Sequence, residues 1–280
     1  MSECDDELNI YELKHEEQGH GALLIFNNFH FCERGNKGTL EQCKEAGCRF
    51  GSDKDVEKLR NLFEKKLKYG VMCLIDKTTN EIKKFLKLYS ECSYADYDSL
   101  IVIIMSHGER DTKGDHVICT NTRQTVEHTR LYLKDFIEPF KTVHTLKNKP
   151  KLFFVNACLI EEESDLEFDS FLSRESYKKR SKRLPHVPIE ADFLVSYANV
   201  DRFCEFQSKN AWFIQSLCEM IHENNENKDV LSILTRINRK LVNMKSYEKA
   251  DKMMPTCIHQ LRKYFYFSKV SNSIEVKFKI

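Results

Sequence analysis

Two residues of the 280-residue chain stand where nucleophilic chemistry would need them. His107 lies in Ser106-His107-Gly108 and Cys158 in Asn156-Ala157-Cys158, 51 positions apart (158 − 107 = 51). A cysteine attacks a carbonyl as its thiolate, so it needs a neighbouring base or cation to draw its pKa down from about 8.5. It also needs backbone N–H donors aimed at the oxyanion that forms. The Cys158 N–H is one such donor, and Gly108 lets the main chain approach a substrate closely. Taken singly, Cys158 reads as a buried thiol and His107 as a turn residue; as a pair at two strand ends they read as a catalytic dyad.

The strand ends come from apolar runs. Leu100–Met105 is strongly β-branched and runs into Ser106-His107-Gly108; Lys151–Val155 runs into Asn156-Ala157-Cys158. Further strands are expected at Ala22–Phe26, Val71–Ile75, Phe193–Tyr197 and an aromatic Lys263–Phe267. Between them, Asp53–Lys68 sets Val56, Leu59, Leu62, Phe63 and Leu67 on one helical face. Thr78-Thr79-Asn80-Glu81 is a capping box for a helix turning Ile82, Phe85, Leu86 and Tyr89 inward, and Ala211–Asn224 and Asp229–Asn243 read as two more helices. Strands alternating with amphipathic helices predict an α/β fold with a mainly parallel sheet, whose functional crevice lies beyond the carboxyl ends of its strands.

Charge and composition narrow the function classes. Lys+Arg 44 against Asp+Glu 43 leaves a net charge of +1, which gives no drive toward nucleic acid or an anionic membrane. The longest apolar runs fall far short of the roughly 18 residues of a spanning helix. The start, MSECDDELNIYELKHEEQGH, is polar and acidic, unlike a secretory signal. Eleven cysteines without such a signal read as reduced thiols, and the expected location is cytoplasmic. One stretch lacks apolar periodicity: an acidic run, Glu161–Asp169, then a basic one, Arg174–Arg183, closed by Pro185 and Pro188. Residues 161–187 are expected to form an exposed loop.

With these stretches in view, the chain resembles the caspases, the Asp-specific cysteine endopeptidases of apoptosis, over about residues 20–268. The resemblance rests on LLIFNNFHF, GSDKDVEKLRNLF, SLIVIIMSHGE, KPKLFFVNAC, VPIEADFLVSY, AWFIQSLCEMI and LTRINRK. The 51-residue interval matches the spacing of about 50 known between the family's histidine and cysteine. The resemblance implies a three-layer sandwich with helices on both faces of the sheet. It also implies a short polar segment at 1–19, a large-subunit-like portion at 20–169, an intersubunit loop at 170–187 and a small-subunit-like portion at 188–280. The short polar start is closer to effector-type members than to initiators.

By the same resemblance, His107 is the general base, Cys158 the nucleophile, and Gly108 with Cys158 the oxyanion hole. Arg49 and Ser106 belong to the pocket for the substrate aspartate (P1, the residue before the scissile bond), with Asn156, Phe206, Gln207 and Trp212 completing the substrate-binding set. Asp169, followed by Ser170, is the expected processing site and Asp165 the weaker one. The chain departs from the family at two places. The box Gln-Ala-Cys-x-Gly is here Asn156-Ala157-Cys158-Leu159-Ile160, and Asn156 is shorter by about 1.5 Å of reach. The family's second pocket arginine has no counterpart, since no arginine lies between Arg202 and Trp212. Losing one charge-assisted contact to a carboxylate costs about 1.5–3 kcal/mol, or about ten- to 150-fold in affinity.

Two readings follow. In the first the chain is a weakly active or inactive regulator, a decoy that modulates a paralogous caspase. In the second it is an active endopeptidase with altered or relaxed P1 specificity. The expected partners are a second copy or a paralogous caspase in a dimer, and a protein or peptide substrate with a P1 aspartate if active; no nucleic acid or membrane is expected. His30, Cys32, Cys43 and Cys48 fit no strong ligand spacing, so no metal or cofactor is expected. The KKRSKR run reads as part of a solvated loop, and Tyr264–Phe267 as an edge or dimer-interface strand.

Overall fold

Leu100–Met105 places β-branched Ile101, Val102, Ile103 and Ile104 in succession, a pattern suited to a strand covered on both faces. In the computed structural model it is β3, and all six of its residues are buried. The structure describes residues 9–15, 20–31, 48–110, 116–119, 130–157, 160–161, 191–198, 211–224, 226–243 and 255–268. Flanking β3 are β1 (Ala22–Asn27) and β7 (Lys151–Asn156), then β2 (Gly70–Ile75) outside β1, and β9 (Phe193–Tyr197) and β10 (Thr256–His259) outside β7. The order β10-β9-β7-β3-β1-β2 is parallel throughout except for β10, which runs antiparallel to β9.

Register brings the carboxyl ends into line. Asn27 pairs with both Ile75 and Met105, Met105 with Asn156, and Val155 with Tyr197. Alternate side chains feed two cores. On one face Leu23, Ile25, Ile101, Ile103, Leu152 and Phe154 meet α1 (Ser52–Arg60), α4 (Trp212–Asn224) and α5 (Val230–Asn243). On the other, Leu24, Phe26, Val102, Ile104, Phe153 and Val155 meet α2 (Thr79–Ser90) and α3 (Leu133–Ile137). The result is the α/β fold with a mainly parallel sheet that the alternating pattern predicts, and the sandwich that the resemblance implies. No helix among the described residues is long and apolar enough to cross a membrane.

Several local expectations are met in detail. The Thr78 hydroxyl accepts from the Glu81 N–H at 3.3 Å, and the Glu81 carboxylate accepts from the Thr78 N–H at 2.8 Å, closing the capping box. Val56, Leu59, Leu62, Phe63 and Leu67 are all buried, although the helix changes after Arg60 into a π-helical turn, Asn61–Lys66.

The aromatic end is a correction. Lys263–Phe267 is not a sheet strand: within it only Tyr264 makes a bridge, to Ile10. Among the described residues the last strand is instead Thr256–His259, too short and too evenly half-buried to show a period. Phe265 and Phe267 are buried for a different reason, pairing edge-to-face at 5.1 Å, with Phe267 also against Phe63 at 6.0 Å. A second, small sheet was also not foreseen. It comprises β4 (Gly108–Arg110), β5 (His116–Cys119), β6 (Arg130–Tyr132) and β8 (Ile160–Glu161), in the order β6-β5-β4-β8.

Candidate active site

Five parallel strands ending on one line make a shelf, and the polar residues just past their ends stand on it. From β1, Asn27 and Asn28 are 2% exposed, unusually deep for amides, and both hold Arg49. Its guanidinium donates through Nη1 to the Asn27 side-chain oxygen at 3.1 Å and the Asn28 carbonyl at 3.2 Å. The Arg49 N–H donates to the Phe29 carbonyl at 3.0 Å. Gly51, at φ 92°, then turns the chain into α1 through a conformation that side chains resist. Burial pulls the Arg49 guanidinium down to about 10, while the Asp55 and Asp76 carboxylates act against that. Arg49 therefore remains a cation at neutral pH.

The same asparagines reach toward the histidine. Asn28 donates to the Ser106 hydroxyl at 3.1 Å, and Asn27 to the Ser52 hydroxyl at 3.2 Å. The Ser106 N–H donates across to the Asn156 carbonyl at 3.2 Å. His107 is half-buried, with its ring 4.3 Å from that of Phe31, and Gly108 follows as the buried first residue of β4. Arg49, Ser106, His107, Gly108 and Asn156 thus gather at one sheet edge. Cys158, Phe206, Gln207, Asp165 and Asp169 lie outside the described residues, as do residues 162–187 of the expected loop.

Strand pairing brackets the segment between Ala157 and Ile160. Met105 pairs with Asn156 where β3 and β7 end, an offset of 51 (156 − 105). Glu109, the second residue of β4, pairs with Ile160, the first of β8, again an offset of 51 (160 − 109). The two chain segments carrying His107 and Cys158 leave one sheet and enter the next in the same register.

Trp212 opens α4, on the far side of the 162–190 stretch, and a buried acid ties it to the shelf. The Asp55 carboxylate accepts the Ala211 N–H at 2.9 Å. Asn27, Asn28, Ser52 and Asp55 were not found from the sequence. Asp55 did leave a signal: with Ser52, Val56 and Leu59 it lies on the inward face of α1, an odd place for an acid. His30 Nδ1 sits 2.7 Å from an Asp76 oxygen, and no cluster of three or more potential metal ligands exists among the described residues.

Comparison with known proteins agrees with this arrangement. The Caspase domain model of the Peptidase_C14 family matches residues 20–266. Caspase-3 of Xenopus laevis is 30% identical over 266 residues, covering 94% of this chain and 84% of that protein. Caspase-7 of Gallus gallus is 28% identical over 257 residues, covering 88% and 77%. The crystal structure of Caspase-1 from Spodoptera frugiperda shares the fold, with a TM-score of 0.69 at 23% identity over 98% of this chain and 99% of that one.

Proposed function

The chain belongs to the caspase family, and we propose that it keeps the family's His107–Cys158 dyad while recognising a P1 aspartate poorly, acting as a regulator of a paralogous caspase. Support for the dyad comes from the common offset of 51 on both sides of it. Hydrogen-bonded neighbours in a sheet lie about 4.7–4.9 Å apart, a spacing from which a histidine can take the proton of a facing thiol. The imidazole would act as general base, and the N–H groups of Gly108 and Cys158 would receive the oxyanion.

One observation carries the regulatory reading: Arg49 is the sole arginine that the pocket motifs retain. A carboxylate entering a partly dry site needs its hydration replaced in full, and partial replacement is heavily penalised. Arg49 supplies one cation, fixed by Asn27 and Asn28. Asn156 is short, and Gln207 stands where the family has its second arginine. Glu205 beside it would repel an acidic side chain. Pairing with an active paralogue, or competing with it, then remains as the use of a caspase surface on a poor catalyst.

The alternative, an active endopeptidase with altered or relaxed P1 preference, is favoured by the anchoring of Arg49 and by the presence of both His107 and Cys158 in the sequence. Adding the protein to an active caspase separates the two. The regulator changes that enzyme's rate in proportion to dose, and Cys158→Ala does so equally. If the protein adds only its own Cys158-dependent turnover, the alternative stands.

A further inference from the structure

Asp55 is 1% exposed, yet it lies on the packed face of α1 rather than at its solvated side. One carboxylate oxygen accepts the Ala211 N–H at 2.9 Å across 156 residues of sequence. The other is buried without a hydrogen-bond partner among the described residues. A buried carboxylate in so incomplete a setting is costly and calls for a reason. Two neighbours supply it. Ala211 precedes the first turn of α4, whose Gln215 N–H donates back to the Ala211 carbonyl at 3.0 Å, so the acid stands at the positive end of a 13-residue helix. Arg49 is the other, and the Asp55 charge stabilises its guanidinium.

We propose that Asp55 is a positioning residue whose ionised carboxylate docks the N-terminus of α4, and with it Trp212, onto the loop that carries Arg49. This rests on the reading of Arg49 and Trp212 as substrate-pocket residues, but the docking itself is a property of the resting chain. It joins a pocket element from before the 162–190 stretch to one from after it. A neutral carboxyl accepts a weaker bond than a carboxylate and no longer complements the helix end or Arg49. Protonation of Asp55 therefore loosens Trp212.

The working range of this device follows from its surroundings. Burial pushes the Asp55 carboxyl up to about 6; the Ala211 N–H, Arg49 and Lys58 act against burial, and Asp53 adds to it. From α4, Cys218 faces the same acid, and burial holds that thiol near 12, hence neutral. Strand β1, also packed on α1, carries no titratable side chain between Ala22 and Asn27. With a folded pKa above the ordinary 3.8, the folded chain takes up the proton first. The ionised acid thus lowers global stability above pH about 6, and that cost is relieved as pH falls toward 4. Docking weakens with acid while overall stability gains, and these opposite signs set the device apart from simple acid unfolding.

Trp212 is the chain's one tryptophan, so its fluorescence reads the docking without substrate or catalysis. In the full-length protein, emission and acrylamide quenching of Trp212 should change with a midpoint near pH 6 while the fold persists. In Asp55→Asn, which keeps an oxygen acceptor, both signals should be flat from pH 5 to about pH 8, and the variant should melt above wild type at pH 7.5. Asp55→Ala should be quenched more readily at every pH. A flat wild-type profile overturns the proposal, as does an unchanged transition in Asp55→Asn, which would assign the titration to a group other than Asp55. A protease that proves silent leaves this measurement unaffected.

Discussion

Cys158 and Arg49 differ in what their chemistry requires. Thiolate formation depends on a nearby base and on local N–H donors, whereas aspartate recognition depends on how many cations meet the carboxylate. On the proposed reading, the departures from the family pattern, Asn156 and Gln207, fall on recognition. Small-reagent and substrate-like labelling should therefore separate. Iodoacetamide should modify Cys158 faster than the other ten cysteines, by peptide mapping, and His107→Ala should abolish that advantage. A P1-aspartate fluoromethylketone should label Cys158 at least tenfold more slowly than it labels a caspase with both pocket arginines, the size of one charge-assisted contact. Ordinary iodoacetamide reactivity at Cys158 would remove the dyad from the account.

At the scale of elements, periodicity made the scaffold legible and left the site's supports hidden. Leu100–Met105 and Phe193–Tyr197 were bounded correctly from their apolar runs, because a strand covered on both faces leaves an unbroken signature. The capping box of α2 was legible for a local reason, since both partners lie within four residues. Thr78→Ala should cost about 1 kcal/mol in urea unfolding, and an unchanged midpoint would mean that α2 is held by packing alone. What stayed hidden depended on distant pairing. The strands β4, β5, β6 and β8 have four residues or fewer and exist through their neighbours' hydrogen bonds. Tyr264–Phe267 misled because burial of Phe265 and Phe267 in a loop imitates strand alternation. His107 and Arg49 could be named from motifs, but Asn27, Asn28 and Asp55 act through contacts that only the assembled sheet edge creates.

Across the whole molecule, the two portions on either side of residues 162–190 are joined by more than that connection. Strands β7 and β9 pair along Lys151–Val155, and α1 packs on α4. The segment 9–15 adds a strap: the Tyr11 hydroxyl donates to Asp192 at 2.6 Å and accepts the Arg262 N–H at 3.1 Å, while Asp98 accepts the N–H groups of Lys14 and His15. Arg262 grips the same Asp192 with two bonds, at 2.9 and 2.6 Å. Cutting after Asp169 by an active caspase should thus give fragments of 169 and 111 residues (280 − 169 = 111) that still elute together without denaturant. Separation of the pieces, or unchanged cutting in Asp169→Ala, would contradict this. On the proposed reading, a caspase framework that stays assembled while its specificity pocket is reduced is suited to binding a paralogue more than to turning over substrate. The most direct measurement is steady-state turnover of a peptide panel varied at P1, comparing the natural chain, Cys158→Ala, and the combined variant Asn156→Gln, Leu159→Arg, Ile160→Gly and Gln207→Arg. Weak, Cys158-dependent cleavage by the natural chain is expected, with at least a tenfold rise after P1 aspartate in the combined variant. Cleavage after aspartate by the natural chain at a typical enzymatic rate, about 10 per second, would contradict it.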